Sequence, residues 1–126
     1  MMKKIIVDID MTMTKGKGPN GYVDAIVNVD VIERLKEYRD SGFTVVLNTS
    51  RNMNSYENNI GLINKNTLPV IIQWLENNQI PYDEIYVGKP WCGHDGFYID
   101  DRAVRPSEFV SMTYDEIAAM LEKEQQ

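Results

Sequence analysis

The chain has 126 residues, 43% of them hydrophobic, with a formal charge of -6 and one cysteine. That is one domain's worth of sequence with enough apolar content to bury a core, which excludes a disordered chain. It also excludes a membrane span, since no apolar run approaches the roughly 20 residues needed, and it disfavours nucleic acid, since no basic stripe is present to neutralise phosphates.

The opening Met1-Met2-Lys3-Lys4 lies too close to Asp8 to be a signal peptide, and Cys92 alone cannot build a disulfide framework, so a cytoplasmic protein is expected. Lys4 to Val7 reads as a first strand. Residues 13–22, rich in Gly and Lys, read as a turn or flap hairpin and not a helix. Asp30, with Glu33 three positions on, is an expected N-cap for a helix with Val31, Ile32, Leu35 and Tyr38 on one stripe, stopped by Gly42. Phe43 to Leu47 is a second strand, and the asparagine-rich residues 52–66 read as a loop. Thr67 is expected to cap a helix in which Leu68, Ile71, Ile72 and Leu75 share a face. Strands are expected at Ile85 to Val87 and at Phe97 to Ile99. Thr113 and Glu116 form a capping box ahead of Ile117, Met120 and Leu121.

Strands alternating with helices imply parallel pairing through right-handed crossovers. The expected fold is therefore α/β: one domain over 1–126, a three-layer α/β/α sandwich. The intervals from Met13 to Val29 and from Thr49 to Lys89 are too short for a separate cap domain, which normally takes roughly 50 residues or more. Only the flap at 13–22 and the loop at 52–66 remain to cover a site. A neighbouring subunit is then a further candidate cover, which leaves a homo-oligomer open.

Each expected strand runs into polar groups: Asp8 and Asp10 after the first, Thr49-Ser50-Arg51 after the second, Lys89 after the third, and Asp100-Asp101 after the fourth. In an open parallel sheet these ends gather along one edge, where ligands bind. Two carboxylates as close as Asp8 and Asp10 need a proton or a cation between them, and Mg2+ suits oxygen ligands. An acidic metal nest, a hydroxyl and an ammonium are the parts of a phosphoryl-transfer site. Arg51 either grips a substrate anion or pairs with an acid; Ser50 could exchange roles with Thr49; Asp101 either shares the acidic shell or orients Arg102.

In Asp8-Ile9-Asp10-Met11-Thr12, Thr49, Lys89 and Asp100-Asp101, in that order over essentially the whole chain, the sequence resembles the haloacid dehalogenase (HAD) superfamily of aspartate-nucleophile phosphatases. It departs from the superfamily's first motif at Met11, where glycine is usual. Gly88-Lys89-Pro90 followed by Tyr98-Ile99-Asp100-Asp101-Arg102-Ala103 is also similar to small HAD proteins encoded with capsule and surface-polysaccharide genes. The resemblance implies a mostly parallel, Rossmann-like (HAD-like) sheet and a Mg2+-dependent phosphomonoester hydrolase acting on a small phosphorylated metabolite such as a sugar phosphate. It implies that Asp8 is the nucleophile and Asp10 the general acid and base. It assigns Thr49 and Lys89 to phosphate, with Ser50 and Arg51 beside them as further candidates from the residues themselves, and Asp8, the Asp10 carbonyl, Asp100 and Asp101 to the metal. Two alternatives remain beside it: a phosphotransferase or mutase on the same scaffold, and a receiver-like phosphoacceptor domain. The receiver fits less well, because it carries its phosphoacceptor aspartate after a middle strand, where this chain has Asn48-Thr49.

Overall fold

Three parallel strands, β1 (Lys3–Val7), β2 (Phe43–Asn48) and β3 (Glu84–Tyr86), share one sheet in the order β1-β2-β3. They belong to a computed structural model that describes residues 3–126. The register pairs Lys3 with Phe43 through Val7 with Leu47, and Val46 with Glu84 through Asn48 with Tyr86. The fold is thus α/β, and the described chain divides into two compact units that meet in sequence between Trp91 and Cys92.

In the first unit, helix α1 (Val29–Asp40) packs on β2. Its buried stripe is Val31, Ile32, Leu35 and Tyr38, as the spacing predicts, and the chain leaves the helix at Gly42 with φ 105°, a conformation that favours glycine. The helix starts one residue ahead of the expected cap. Asn28 takes that position while its side chain donates to the Thr12 carbonyl, and Asp30 instead lies in the first turn, where a carboxylate suits the helix dipole. Residues 52–66 are not all loop. Turns through residue 58 lead into α2 (Ile60–Leu62), a π-helical turn (Ile63–Thr67) and α3 (Leu68–Asn77) without a break. Asn59 caps this run by accepting the Leu62 N–H at 3.1 Å, so the cap lies earlier than Thr67, whose hydroxyl donates to Asn52 Oδ1 at 2.6 Å. Pro69 follows the π turn; lacking an N–H, it suits a place where the regular ladder is already widened.

Strand alternation buries Val7, Val45 and Leu47 with Ile71, Trp74 and Leu75 of α3 in the core. Lys4, Ile6, Asn48, Glu84 and Tyr86 instead line a shallow cavity of about 440 Å³ that extends to Lys89. Ile6 is 66% exposed there. The expected flap at 13–22 is the first arm and tip of a hairpin whose return arm reaches Asn28, held by the Thr14–Val27 and Gly18–Gly21 bridges. Only glycine fits at residue 18, because a Cβ there would collide with the Asp24 carbonyl.

The second unit contains α4 (Pro106–Ser111) and α5 (Tyr114–Glu124). The Thr113–Glu116 capping box forms as expected; ahead of α4 the Glu108 carboxylate accepts the Arg105 backbone N–H at 2.8 Å and pairs with the Arg105 guanidinium. Phe97–Ile99, expected as a fourth strand, is not a strand: it has no ladder partner among the described residues, and Phe97 and Ile99 are 78% and 91% exposed. A strand exists only as one side of a ladder, so β-propensity alone does not make one. No described helix is long and apolar enough to cross a membrane.

The entry to β3 depends on Asp83, which accepts the Val45 N–H at 2.9 Å and an Arg39 Nη2 bond at 2.7 Å, while its own N–H bonds the Val45 carbonyl. The Arg39 bond, then the backbone bond, holds the Asp83 carboxyl below its usual range. A carboxyl lowered in the fold stabilises above its unfolded pKa, and that contribution disappears as pH falls through the folded value. Asp83→Ala is expected to cost about 1 kcal/mol at pH 7. In urea melts the difference from the parent should shrink once the pH falls below the ordinary carboxylate range.

Candidate active site

Beyond Val7 the chain stops extending and curls around one carbonyl. Ile9, fully buried, accepts N–H bonds from Thr12, Met13 and Thr14 at 3.2, 2.8 and 3.1 Å. Met11 completes the curl at φ 62°, its N–H donating to the Thr14 hydroxyl. This is the left-handed region, which costs a side-chain-bearing residue energy.

The curl leaves the Asp8 carboxylate facing two donors. The Thr12 hydroxyl donates to Oδ2 at 3.2 Å, and Lys89 Nζ stands 3.7 Å from Oδ1. Burial is the largest influence on Asp8 and pushes its carboxyl pKa up; Lys89, Thr12 and the Ile9 backbone oppose it, and Asp10 adds to it. Lys89 is delivered by a continuation of the sheet past the strand ends: the Thr49 N–H bonds the Tyr86 carbonyl at 3.0 Å, and the Lys89 N–H bonds the Thr49 carbonyl at 3.1 Å. Gly88, at φ 86°, lets the chain turn there, and a Cβ on it would meet Ile60 Cδ1 at 2.7 Å.

Thr49 is buried, and its hydroxyl oxygen accepts the Arg51 N–H at 3.0 Å, leaving the hydroxyl proton to be donated elsewhere. Ser50 lies in the turn that follows, its carbonyl accepting the Met53 N–H. Of the two roles open to Arg51, the structure gives the pairing with an acid. Its Nε and Nη2 bond Asp10 Oδ2 and Oδ1 at 3.0 and 2.8 Å, with the Arg51 side chain 1% exposed. Asp8, Asp10, Thr49, Ser50, Arg51 and Lys89 therefore all lie at the ends of neighbouring strands in the first unit. Asp100 and Asp101 lie in the second: Asp100 Oδ1 accepts the Arg102 N–H at 2.9 Å, and Asp101 Oδ2 accepts from Gln125 at 2.7 Å. Among the described residues no three His, Cys, Asp or Glu side chains gather as a metal cage.

Sequence reasoning missed Tyr22. Its ring lies 4.1 Å from the Arg51 guanidinium carbon and 4.8 Å from Lys17 Nζ. The available signal was an aromatic directly after Asn20-Gly21 at the return of the flap.

No family model matches the chain, and no curated protein matches it. A crystal structure of a structural-genomics target from Vibrio cholerae is similar at 58% identity over 98% of this chain and 99% of that one, with a TM-score of 0.94. The chain belongs to the same family as that protein.

The burial of Asp8 fixes a sign. A carboxyl raised in the fold stabilises when protonated, below its unfolded pKa, and that contribution is lost as pH rises through the folded value. In chelator-treated protein at pH 7.5, Asp8→Asn is expected to raise the melting temperature by roughly 2–4 °C, with the gain shrinking as the pH is lowered. Lys89→Met should lower it, and adding Asp8→Asn should restore it. Calorimetry across pH tests both.

Proposed function

We propose that this protein is a Mg2+-dependent phosphomonoester hydrolase of the HAD superfamily, working through an aspartyl-phosphate on a small phosphorylated metabolite such as a sugar phosphate. The observation that carries the reading is Asp8: a half-buried carboxylate at a strand end, with a hydroxyl at 3.2 Å and an ammonium at 3.7 Å. A carboxylate with less water around it is the better nucleophile, and an ammonium beside it lets a phosphate dianion approach.

The groups on hand suit a hard divalent cation. Every candidate donor is oxygen, and Asp8 is an anion whose burial disfavours its charge. Mg2+ needs only one or two protein carboxylates and keeps several waters. Asp8 and the Asp10 carbonyl would hold it. By the resemblance alone, Asp100 would add a carboxylate and Asp101 would belong to the same acidic shell. When bound, the ion would neutralise charge on the transferring phosphoryl group.

Asp8 attacks phosphorus, and the P–O bond to the leaving oxygen breaks. Asp10 protonates that oxygen and afterwards takes a proton from the water that attacks the aspartyl-phosphate, which returns Asp8 and releases phosphate. Thr49 donates its hydroxyl proton to a phosphoryl oxygen, with Ser50 beside it, and Lys89 balances the added negative charge. A phosphotransferase or mutase would share every step except the last acceptor. The similarity to polysaccharide-cluster proteins favours a phosphorylated sugar or sugar acid. The same reading carries a three-layer, Rossmann-like architecture, a cytoplasmic location and a homo-oligomer that covers the open site.

The protein is expected to hydrolyse p-nitrophenyl phosphate with Mg2+ and to lose that activity in EDTA. Asp8→Asn should lower kcat by about 10³-fold or more, with the circular dichroism spectrum unchanged. Retained turnover in that variant, or none by the parent across a panel of phosphomonoesters, overturns the reading.

A further inference from the structure

We infer that Arg51 is a positioning residue that fixes the Asp10 carboxylate and ties its setting to the flap through Tyr22. This rests on the reading of Asp10 as the acid–base group. A carboxylate that must deliver a proton to one oxygen of a substrate needs a defined rotation about its own axis. One donor leaves that rotation open; two parallel N–H bonds remove it. Arg51 supplies both, at 3.0 and 2.8 Å. It is itself anchored at the backbone, since its N–H bonds the Thr49 hydroxyl, so Asp10 is set relative to the residue that meets the phosphoryl group.

The guanidinium is held unusually. Its Nη1 is buried and has no hydrogen-bond partner among the described residues. Such a donor is normally costly. Here the Tyr22 ring, 4.1 Å from the guanidinium carbon, offers a π-face in place of water. Tyr22 belongs to the flap, and Lys17 of the same flap packs on that ring as well. If the flap lifts, water reaches the guanidinium and the ion pair weakens as exposed pairs do. The flap thus sets the acid–base group in addition to covering the site, and Arg51 is not a clamp for the substrate anion.

The test compares two esters: p-nitrophenyl phosphate, whose leaving group needs little protonation, and glycerol 2-phosphate, whose alkoxide needs it fully. Arg51→Lys, which keeps the charge but not the two-point hold, is expected to lose about tenfold more kcat on glycerol 2-phosphate than on p-nitrophenyl phosphate, with KM nearly unchanged. Tyr22→Leu should shift the ratio in the same direction by less, and Tyr22→Phe should behave as the parent. Equal losses on both esters, or a rise confined to KM, overturn the proposal. A second readout needs no activity. The thermal shifts of Tyr22→Leu and Asp10→Asn should be non-additive in the parent and additive in an Arg51→Met background; additivity in both overturns the coupling. A parent that hydrolyses neither ester defeats the phosphatase reading, and the thermal cycle still decides whether Arg51 links flap and carboxylate.

Discussion

The Asp8 carboxyl is held where its charge is disfavoured, and several groups of the first unit are arranged around it. Burial raises its pKa while an ammonium, a hydroxyl and a backbone N–H oppose the shift. Each opposing group arrives by a different structural route. Thr12 comes from the curl around the Ile9 carbonyl, and Lys89 comes from backbone bonds that carry the sheet past its strand ends. Perturbed carboxylates balanced in this way concentrate at functional sites, because the group that is costly in the resting fold is the one with most to gain from a ligand.

The second carboxylate is treated in the opposite way. Asp10 lies two residues from Asp8, yet a guanidinium grips it at two points. Neighbouring acids with different surroundings do not behave alike, whatever each of them does. The chain achieves the difference with Arg51, two residues beyond Thr49, so a single turn after β2 serves both the hydroxyl and the acid.

Much of this was legible from the residues. The apolar runs before Asp8, Thr49 and Lys89 marked strand ends correctly, since burial and strand geometry are local properties that sequence records directly. Gly42 and the Thr113–Glu116 box marked helix boundaries for the same reason. The misreadings had a different source. Thr67 was a plausible cap, but Asn59 lies earlier in the chain and captures the Leu62 N–H first. Phe97–Ile99 has strand composition and no ladder, because pairing belongs to a partner and not to a sequence. Arg51 was ambiguous because its two roles need the same side chain, and only the position of Asp10 separates them. Tyr22 left only the faint signal of an aromatic after Asn20-Gly21, because a ring over a guanidinium leaves no spacing rule behind.

Trp74 gives the hairpin a fixed fulcrum. Its indole N–H donates to the Ala25 carbonyl at 2.9 Å, and the ring is 1% exposed, so the return arm is nailed to α3 at that point. The adjoining turn, Tyr22–Asp24, packs on the same helix, so the hold on α3 extends to the residue whose ring lies over Arg51. Indole emission shifts to the red when water reaches the ring, so with the more exposed Trp91 replaced, Trp74 is a built-in optical gauge of whether the return arm stays on α3.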